Sequence, residues 1–443
     1  MAEGDGSATI QPRLGGFDTA MVVVSLVIGI GIFRTPSLVA TEAGSALAFH
    51  GVWLAGGLVS LAGALTFAEI GSRLPRAGGY YRVVAECYHP RLAFVLNWSQ
   101  ALLQGAGAAG VAFIGAEYLN LVLLPEPART PAANLGSALA LMVALLAANA
   151  MGIRTGARTQ NALSLGKLVM IAGLAAAAFA LAPAVATTAP GPGVTAGGLA
   201  SAAVAVFYTC GGYQGAMNLG GDVRDPARTL PRGVTAGMLA VVALYLVINF
   251  AYERTLGLDG VASSPLVAAA LARAALGTWG ETAVAVAIFL SAAGFVNATI
   301  LQMPRSYYAM AQDGALPAAF LRVDPDTGVQ RAGLAFFAAT MLVPALALGS
   351  FGQLLDYVMF SDALAIATVA STLFVLRRRG RGDEAGFRVP GYPWLPAVFT
   401  AVLVAVALRV AWTRPAVALA GTAVMAAGLP LFSLSRRLSR PGP

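Results

Sequence analysis

Residues 22–36 read VVVSLVIGIGIFRTP, an apolar run that carries Gly29 and Gly31 in its middle. A glycine inside a helix costs about 1 kcal/mol relative to alanine, and in lipid every backbone N–H and C=O must find a partner within the protein. A helix break here would leave free N–H groups and a positive dipole end, which suit a carboxylate. The alternative is an unbroken membrane helix in which Gly-x-Gly marks close packing against a neighbour.

The composition is that of a protein with many membrane spans. Of 443 residues, 58% are hydrophobic and only 11% are charged. Windows of about 20 apolar residues predict an all-α integral membrane protein with twelve transmembrane helices. The predicted spans are 18–40, 45–71, 91–124, 133–152, 161–183, 197–220, 233–256, 280–304, 332–350, 353–376, 393–412 and 415–434.

The distribution of arginine predicts the orientation. With both termini in the cytoplasm, 21 of the 27 arginines fall on the cytoplasmic side and six on the outer side, as the positive-inside rule requires. We therefore expect a multi-pass protein of the cell (inner) membrane. The net charge of +8 is explained by short loops that meet anionic lipid heads, so no nucleic-acid partner is needed.

Residues that usually bind metals or form disulfides are few and scattered. Cys87 and Cys210 do not indicate a disulfide framework. His50 and His89 stand alone, so we expect no metal site and no cofactor. A membrane-embedded enzyme would need a nucleophile–base pair or metal ligands at membrane depth, and the spans offer neither. The sequence therefore predicts that the protein is not an enzyme.

Lys167 is the only lysine in the chain and lies within the apolar run of the fifth span. A charged group in a span indicates function by default, although a side chain about one and a half turns from the cytoplasmic end could also extend to the surface. A buried ammonium could occupy the place of a sodium ion, or lose its proton when desolvated. Both roles stay open at this point.

Three carboxylates in or near the spans have competing interpretations. Glu69, near the end of the second span, is expected to pair with a loop arginine. Glu117 lies near the outer end of the third span and could be proton-sensitive or a helix cap. Asp362 lies deep in the tenth span and is a candidate for a gate or a proton contact.

The third span also contains GAGAAG at 105–110, which matches the dinucleotide fingerprint but has no strand before it, so we assign it to helix packing.

The sixth span contains a second interruption, YTCGGY at 208–213. Breaks in the first and sixth of ten spans predict two five-helix halves related by an inverted repeat, with the site between them. The predicted units are a cytoplasmic tail at 1–16, the first repeat at 17–183, the second repeat at 197–377, helices 11 and 12 at 393–434, and a cytoplasmic tail at 435–443.

Four segments resemble the amino acid–polyamine–organocation transporters, and among them the LAT-like permeases. VIGIGIF at 27–33 resembles the family's IGSGIF, and ALTFAEIGSRLPRAGGYY at 64–81 resembles its A-E-L-G-x-x-x-P-x-x-G-G-x-Y signature. YTCGGYQGAMNLGGDVRDPARTLPRG at 208–233 is similar to F-A-Y-D-G-W…E-V-K-N-P-x-R-N-L-P-R-A. RSYYAMAQDGALP at 305–317 is similar to S-R-x-x-Y-A-M-A-R-D-G-x-L-P. The resemblance implies the LeuT-like 5+5 fold with discontinuous helices 1 and 6.

The resemblance also implies a substrate site made by the two breaks. In the family, amides of the first break hold the substrate α-carboxylate, and carbonyls of the second break hold its α-amine. The corresponding residues are Gly29, Ile30 and Gly31 in the first break and Tyr208, Thr209, Cys210, Gly211 and Gly212 in the second. Tyr208 falls at the aromatic gate position, and Lys167 falls where sodium-independent members keep a lysine that links to the first helix.

The sequence departs from the family pattern in three places. Ile30 replaces the middle serine of GSG, so its side chain narrows the site. FAYDG becomes YTCGG, which changes the subsite for the substrate side chain. The outer loop 125–132 has no cysteine, so no disulfide-linked ancillary subunit is expected.

We therefore expect a secondary active transporter that moves L-amino acids by alternating access. The break regions lack acidic residues, which favours neutral substrates. Sodium-independent exchange and proton-coupled uptake are both compatible with the sequence. The remaining alternatives are a transporter of polyamines or cationic amino acids, and an amino-acid sensor that binds without transport.

Overall fold

The structure, a computed structural model, describes residues 10–185, 193–264, 266–348 and 352–438. Within these residues the chain forms fifteen α-helices and five short 3₁₀ segments. The outermost parts of the two predicted tails, residues 1–9 and 439–443, lie outside the described residues. The helices are α1 (Gly16–Val27), α2 (Thr35–Ala43), α3 (Ala46–Arg73), α4 (Gly79–Cys87), α5 (Pro90–Leu123), α6 (Pro131–Ala150), α7 (Ile153–Leu181), α8 (Ala196–Thr209), α9 (Pro226–Ser263), α10 (Val267–Leu276), α11 (Thr278–Gln312), α12 (Arg331–Leu348), α13 (Gly352–Arg378), α14 (Trp394–Thr413) and α15 (Pro415–Leu438).

Nine helices in the described part of the chain are long and apolar enough to cross a membrane. They are α3, α5, α6, α7, α9, α11, α14 and the apolar parts of α13 and α15. The all-helical membrane architecture expected from the composition is confirmed. The remaining predicted intervals, the first, sixth and ninth, hold the shorter helices α1, α8 and α12, so the number twelve stays a prediction.

Helix α11 lies at the centre of the bundle. It is the most enclosed of the nine candidate spans, whereas α6 and α15 are largely exposed, as helices that face lipid would be. The buried side of α11 contains Ser291, Asn297, Thr299 and Gln302. Two of them bond to other segments of the chain: Asn297 bonds to α6 and α7, and Gln302 accepts from Asn218. Thr299 donates to Phe295 within α11. Polar groups inside a membrane bundle take such partners by preference.

Both glycine-containing stretches interrupt a helix. Helix α1 ends at Val27, and a 3₁₀ segment, Gly31–Phe33, precedes α2. Helix α8 ends at Thr209, and a second 3₁₀ segment, Tyr213–Asn218, follows it. The alternative of an unbroken first helix is therefore wrong, because residues 28–30 are not helical.

The small residues of α5 serve helix packing, as expected. A Cβ added at Gly105 would lie 2.6 Å from the carbonyl oxygen of Thr340 in α12. Only glycine lets the two backbones approach this closely. The sequence GAGAAG at 105–110 lies within the continuous helix α5, which excludes the strand-and-turn context of a dinucleotide site.

A buried carboxylate ties α3 to α13 at one end of the bundle. Glu69 accepts hydrogen bonds from Arg73 Nε at 2.7 Å, from Arg377 Nη2 at 2.6 Å and from the Val389 amide at 2.7 Å. Arg73 also bonds to Asp383 at 2.8 Å, in the segment that leads to α14. The prediction that Glu69 pairs with arginine is confirmed.

We expect the substitution Glu69→Gln to destabilise the protein. It removes the negative charge between two guanidinium groups at a buried position and leaves Arg73 with Asp383 as its anionic partner, and breaking a buried pair costs about 3–5 kcal/mol. The midpoint of thermal unfolding of the detergent-purified protein should fall markedly. Glu281→Gln is the matched control, because Glu281 pairs with the exposed Arg273 and such surface pairs contribute about 0–1 kcal/mol. Equal midpoints for the two variants would contradict the prediction.

Candidate functional site

The two helix breaks pack against each other. A Cβ added at Gly31 would lie 2.9 Å from Cγ2 of Thr209, and one added at Gly212 would lie 2.4 Å from the carbonyl oxygen of Leu26. Gly212 also has a backbone φ of +110°, which residues other than glycine rarely adopt. Both positions therefore require glycine, and the fold brings the two breaks predicted from sequence to one place.

The first break presents donors. The amide of Gly29 is engaged by the Val27 carbonyl at 2.9 Å, whereas the amides of Ile30 and Gly31 donate to no described group. A Cβ added at Gly29 would meet no described heavy atom within 4 Å, so the break borders open space. Two amides at the start of a half-helix suit an anionic group. Of the three amides that sequence reasoning assigned to a carboxylate, that of Gly29 already has a partner.

The second break presents acceptors. The carbonyl of Tyr208 accepts from the Gly211 amide at 3.2 Å, and that of Thr209 accepts from a tyrosine hydroxyl at 3.3 Å. A carbonyl oxygen has two lone pairs, so the Thr209 carbonyl can accept a further hydrogen bond, whereas that of Tyr208 also receives the Cys210 amide. Cys210 is buried, whereas Gly211 and Gly212 are half-buried. The negative end of α8 together with these carbonyls suits an ammonium group.

Tyr245 of α9 joins the two breaks and is a residue that sequence reasoning missed. Its buried hydroxyl lies 3.2 Å from the Val27 carbonyl and 3.3 Å from the Thr209 carbonyl. These are the C-terminal ends of α1 and α8. In the sequence, Tyr245 stands alone in the apolar run LAVVALYLVINF at 239–250, which carries no signal of a tertiary partner. The hydroxyl fixes the separation of the two broken ends.

A second contact joins α8 to the other half of the first broken helix. The Thr209 hydroxyl donates its one hydrogen to the Ala205 carbonyl at 2.9 Å, and its Oγ1 lies 2.8 Å from Oγ1 of Thr35. Tyr208 is half-buried, and its ring meets that of Phe207 edge-on at 5.6 Å between centroids. In the second break, the Thr209 side chain therefore faces α2, and the Tyr208 ring packs against Phe207.

Lys167 is fully buried and binds the end of α1. Its Nζ lies 2.6 Å from the carbonyl of Ile28, 3.2 Å from that of Ser291 in α11 and 3.5 Å from that of Ser25. Three carbonyl acceptors match the three N–H donors of an ammonium group, and a cation at a helix C-terminus is favourable. Lys167 lies 14 residues after Ile153, the first residue of α7, about 21 Å along the helix. The alternative of a side chain that extends to the surface is therefore wrong.

The ammonium group occupies a space kept open by Gly294 of α11. A Cβ added there would lie 2.9 Å from Cε of Lys167, 3.0 Å from its Nζ and 2.9 Å from Oγ of Ser25. The junction of α1, α7 and α11 thus leaves room for the lysine and no more. The requirement for glycine at this position could not be read from sequence, because it depends on the neighbour that the fold supplies.

The fold does not join the two remaining candidates to the breaks by any described hydrogen bond. Glu117 is exposed near the C-terminal end of α5. Asp362 is half-buried in α13 and accepts from Nε2 of Gln100 in α5 at 2.7 Å. In the described part of the chain, no group of three His, Cys, Asp or Glu side chains could hold a metal ion, and Cys87 and Cys210 are free and buried.

These features define a multi-pass membrane protein with a polar site between two interrupted helices, a form that membrane proteins use to bind small ligands. A sequence model of the family described as Amino acid permease matches residues 14–433. The chain belongs to this family. The resemblance to the amino acid–polyamine–organocation transporters is thereby confirmed.

Curated relatives cover most of the chain. The Serine/threonine exchanger SteT of Bacillus subtilis (strain 168) is 28% identical over 399 residues, which cover 87% of this chain and 88% of the relative. The Large neutral amino acids transporter small subunit 2 of Mus musculus is 25% identical over 446 residues, with 98% and 82% covered. The Cystine/glutamate transporter of Homo sapiens is 26% identical over 395 residues, with 86% and 76% covered. The family and these relatives are transporters, which confirms that the protein is not an enzyme.

We expect Gly294→Ala to reduce amino acid uptake strongly while the protein still folds. The new methyl group must displace the Lys167 ammonium from the Ile28 carbonyl, and hydrogen bonds to charged groups are worth about 1.5–3 kcal/mol. Uptake by proteoliposomes and the midpoint of thermal unfolding would be measured together. Gly136→Ala in α6 is the matched control, because a Cβ there meets no described atom within 4 Å. Wild-type uptake by the Gly294→Ala variant would contradict this description of the lysine pocket.

Proposed function

We propose that this protein is a sodium-independent exchanger of neutral L-amino acids that works by alternating access. The observation that carries the proposal is that two amides of one break, those of Ile30 and Gly31, have no described partner, while the adjacent break contributes the Thr209 carbonyl, which has one described hydrogen bond. A zwitterion presents one carboxylate and one ammonium, so it complements both breaks at once. Membership of the amino acid permease family supports the class of substrate.

The proposed architecture has twelve spans in the cell (inner) membrane, with both termini in the cytoplasm. Residues 17–183 and 197–377 form the two inverted repeats, and 393–434 add helices 11 and 12 between the cytoplasmic tails at 1–16 and 435–443. The glycine breaks in the first helix of each repeat support this division. The expected partners are the amino acid and membrane lipids, without nucleic acid or a disulfide-linked subunit.

In this proposal the substrate contacts are mainly backbone groups. The amides of Ile30 and Gly31, next to Gly29, bind the α-carboxylate. The carbonyls in the second break bind the α-amine. The residues of the second break are Tyr208, Thr209, Cys210, Gly211 and Gly212. Tyr208 closes the site as an aromatic gate, and the Ile30 side chain limits the size of the substrate.

Exchange is favoured over ion-driven uptake by the surroundings of Lys167. Its three carbonyl partners at 2.6, 3.2 and 3.5 Å use all three donors of the charged form. An ammonium held in this way fills a cation position, so no sodium ion is required there. A curated relative over 87% of this chain has the name of a serine/threonine exchanger, which makes serine and threonine the first substrates to test.

Proton-coupled uptake is the second candidate because of Asp362. This carboxylate lies within a candidate membrane span and has one described hydrogen bond, from Gln100. A carboxylate at membrane depth is a natural proton carrier, and Glu117 could deliver protons from the outer side. A transporter of polyamines or cationic amino acids, or a sensor that binds without transport, would give other outcomes in the same experiment.

We expect wild-type proteoliposomes to take up labelled L-serine or L-threonine only when they contain an unlabelled amino acid. Sodium and proton gradients should leave this uptake unchanged, because Lys167 replaces the coupling ion. Lys167→Met should lower the exchange rate about tenfold or more, since hydrogen bonds to a charged group are worth about 1.5–3 kcal/mol. Arg322→Met, at an exposed arginine, is the control with the same loss of charge.

The other outcomes of this experiment decide against exchange. Uptake into empty vesicles that follows an inward proton gradient would indicate a symporter, and Asp362→Asn should then abolish the response to the gradient. Uptake of polyamines or arginine in place of neutral amino acids would change the substrate class. Binding without uptake would indicate a sensor.

A further inference from the structure

Five buried polar side chains form a continuous hydrogen-bonded row across four helices. Asn149 of α6 donates to Oδ1 of Asn297 in α11 at 2.7 Å, and Asn297 donates to Oε1 of Gln160 in α7 at 2.9 Å. Gln160 donates to Oγ of Ser164 at 3.0 Å, and Ser164 lies 2.7 Å from Oγ of Ser25 in α1. All five residues are buried. We call this the amide row.

The number of hydroxyl hydrogens decides which serine of the amide row is the donor. The hydroxyl of Ser164 has a single hydrogen, which it donates to the carbonyl of Met21 in α1 at 2.8 Å. Ser25 is therefore the donor in the contact with Ser164. Ser164 accepts two hydrogen bonds and gives one, so its position depends on Gln160 on one side and on α1 on the other.

Asn297 is the second member of the row and joins three of its helices. Its Nδ2 donates both to Gln160 and to the carbonyl of Gly156, at 3.1 Å, while its Oδ1 accepts from Asn149. One side chain thus joins α6, α7 and α11. Such a buried amide fixes the relative position of the helices that it connects, because each alternative position leaves a polar group without a partner.

The same face of α7 holds the contacts with α1. Gln160, Ser164 and Lys167 follow one another at spacings of four and three residues, so they lie on one side of the helix. Ser164 donates to the carbonyl of Met21, and Lys167 donates to that of Ile28, about two turns further along, just after the end of α1. Helix α7 therefore contacts the first broken helix through Ser164 and Lys167. The amide row fixes the position of Ser164, the first of these two contacts.

We propose that Asn297 is a positioning residue for exchange, which holds Gln160 and Ser164 so that α7 presents Lys167 to the end of α1. This inference rests on the proposed function. Asn297 does not touch the breaks in any described hydrogen bond. Its removal changes how α1 is held during the cycle while the backbone groups that bind the substrate stay in place.

The test measures exchange kinetics of reconstituted variants. Asn297→Ala should lower the turnover rate about tenfold, because it leaves several buried polar groups without partners, while KM for the external amino acid stays within about threefold. The double variant Asn297→Ala/Ser164→Ala should lose no more turnover than the worse single variant, since residues that act in one row are not additive. Asn97→Ala is the matched control, because this buried amide donates within its own helix, to Ala93 at 3.0 Å.

Two results would overturn the proposal. One is wild-type turnover by Asn297→Ala, and the other is a double variant whose loss equals the product of the two single losses. If Asn297→Ala does not fold, the double variant Asn297→Gln/Gln160→Asn tests the proposal instead, because it exchanges the two amides and keeps the combined length of their side chains. Recovery of turnover relative to Asn297→Gln alone supports the row, and no recovery refutes it. Wild-type vesicles without exchange would refute the proposed function itself, so the two failures are distinguishable.

Discussion

A membrane interior offers no water to the backbone groups that a broken helix leaves open. The protein supplies partners for most of them. Lys167 binds the carbonyl end of α1, and the Tyr245 hydroxyl binds the ends of α1 and α8 together. Among the described groups, what remains is a pair of amides, those of Ile30 and Gly31, and the second lone pair of carbonyls such as that of Thr209. In the proposed function, the constraint that makes the breaks costly therefore also selects a ligand that both accepts and donates hydrogen bonds.

The contacts of the two halves of the first broken helix differ in kind. The α1 half is held by a buried ammonium and by the serine hydroxyls of the amide row. The α2 half meets α8 through the hydroxyl pair Thr35–Thr209. A charged contact on one half and a weak neutral contact on the other mean that the two halves can respond differently to a bound amino acid. This difference is what a switch between outward and inward states requires.

The sequence predicted the helix breaks because glycine pairs in apolar runs conflict with a continuous helix, and it predicted Lys167 because a single lysine in a span is costly. It did not predict Tyr245 or Gly294, since their roles come from neighbours on other helices and leave no local pattern. The assignment of Gly29 needed the structure as well, because its amide bonds back to Val27. The partners of Asn297 likewise depend on the packing of three helices. The twelve spans, the repeat and the substrate contacts remain predictions.

The central claim is that the amino acid binds between the two breaks. A cryo-EM structure of the protein with a transported L-amino acid tests it most directly. We expect a carboxylate oxygen within about 3.2 Å of the Ile30 or Gly31 amide. The amine should lie at a similar distance from a carbonyl of the second break. An amino acid bound elsewhere, with the Ile30 and Gly31 amides left without it, would contradict the account.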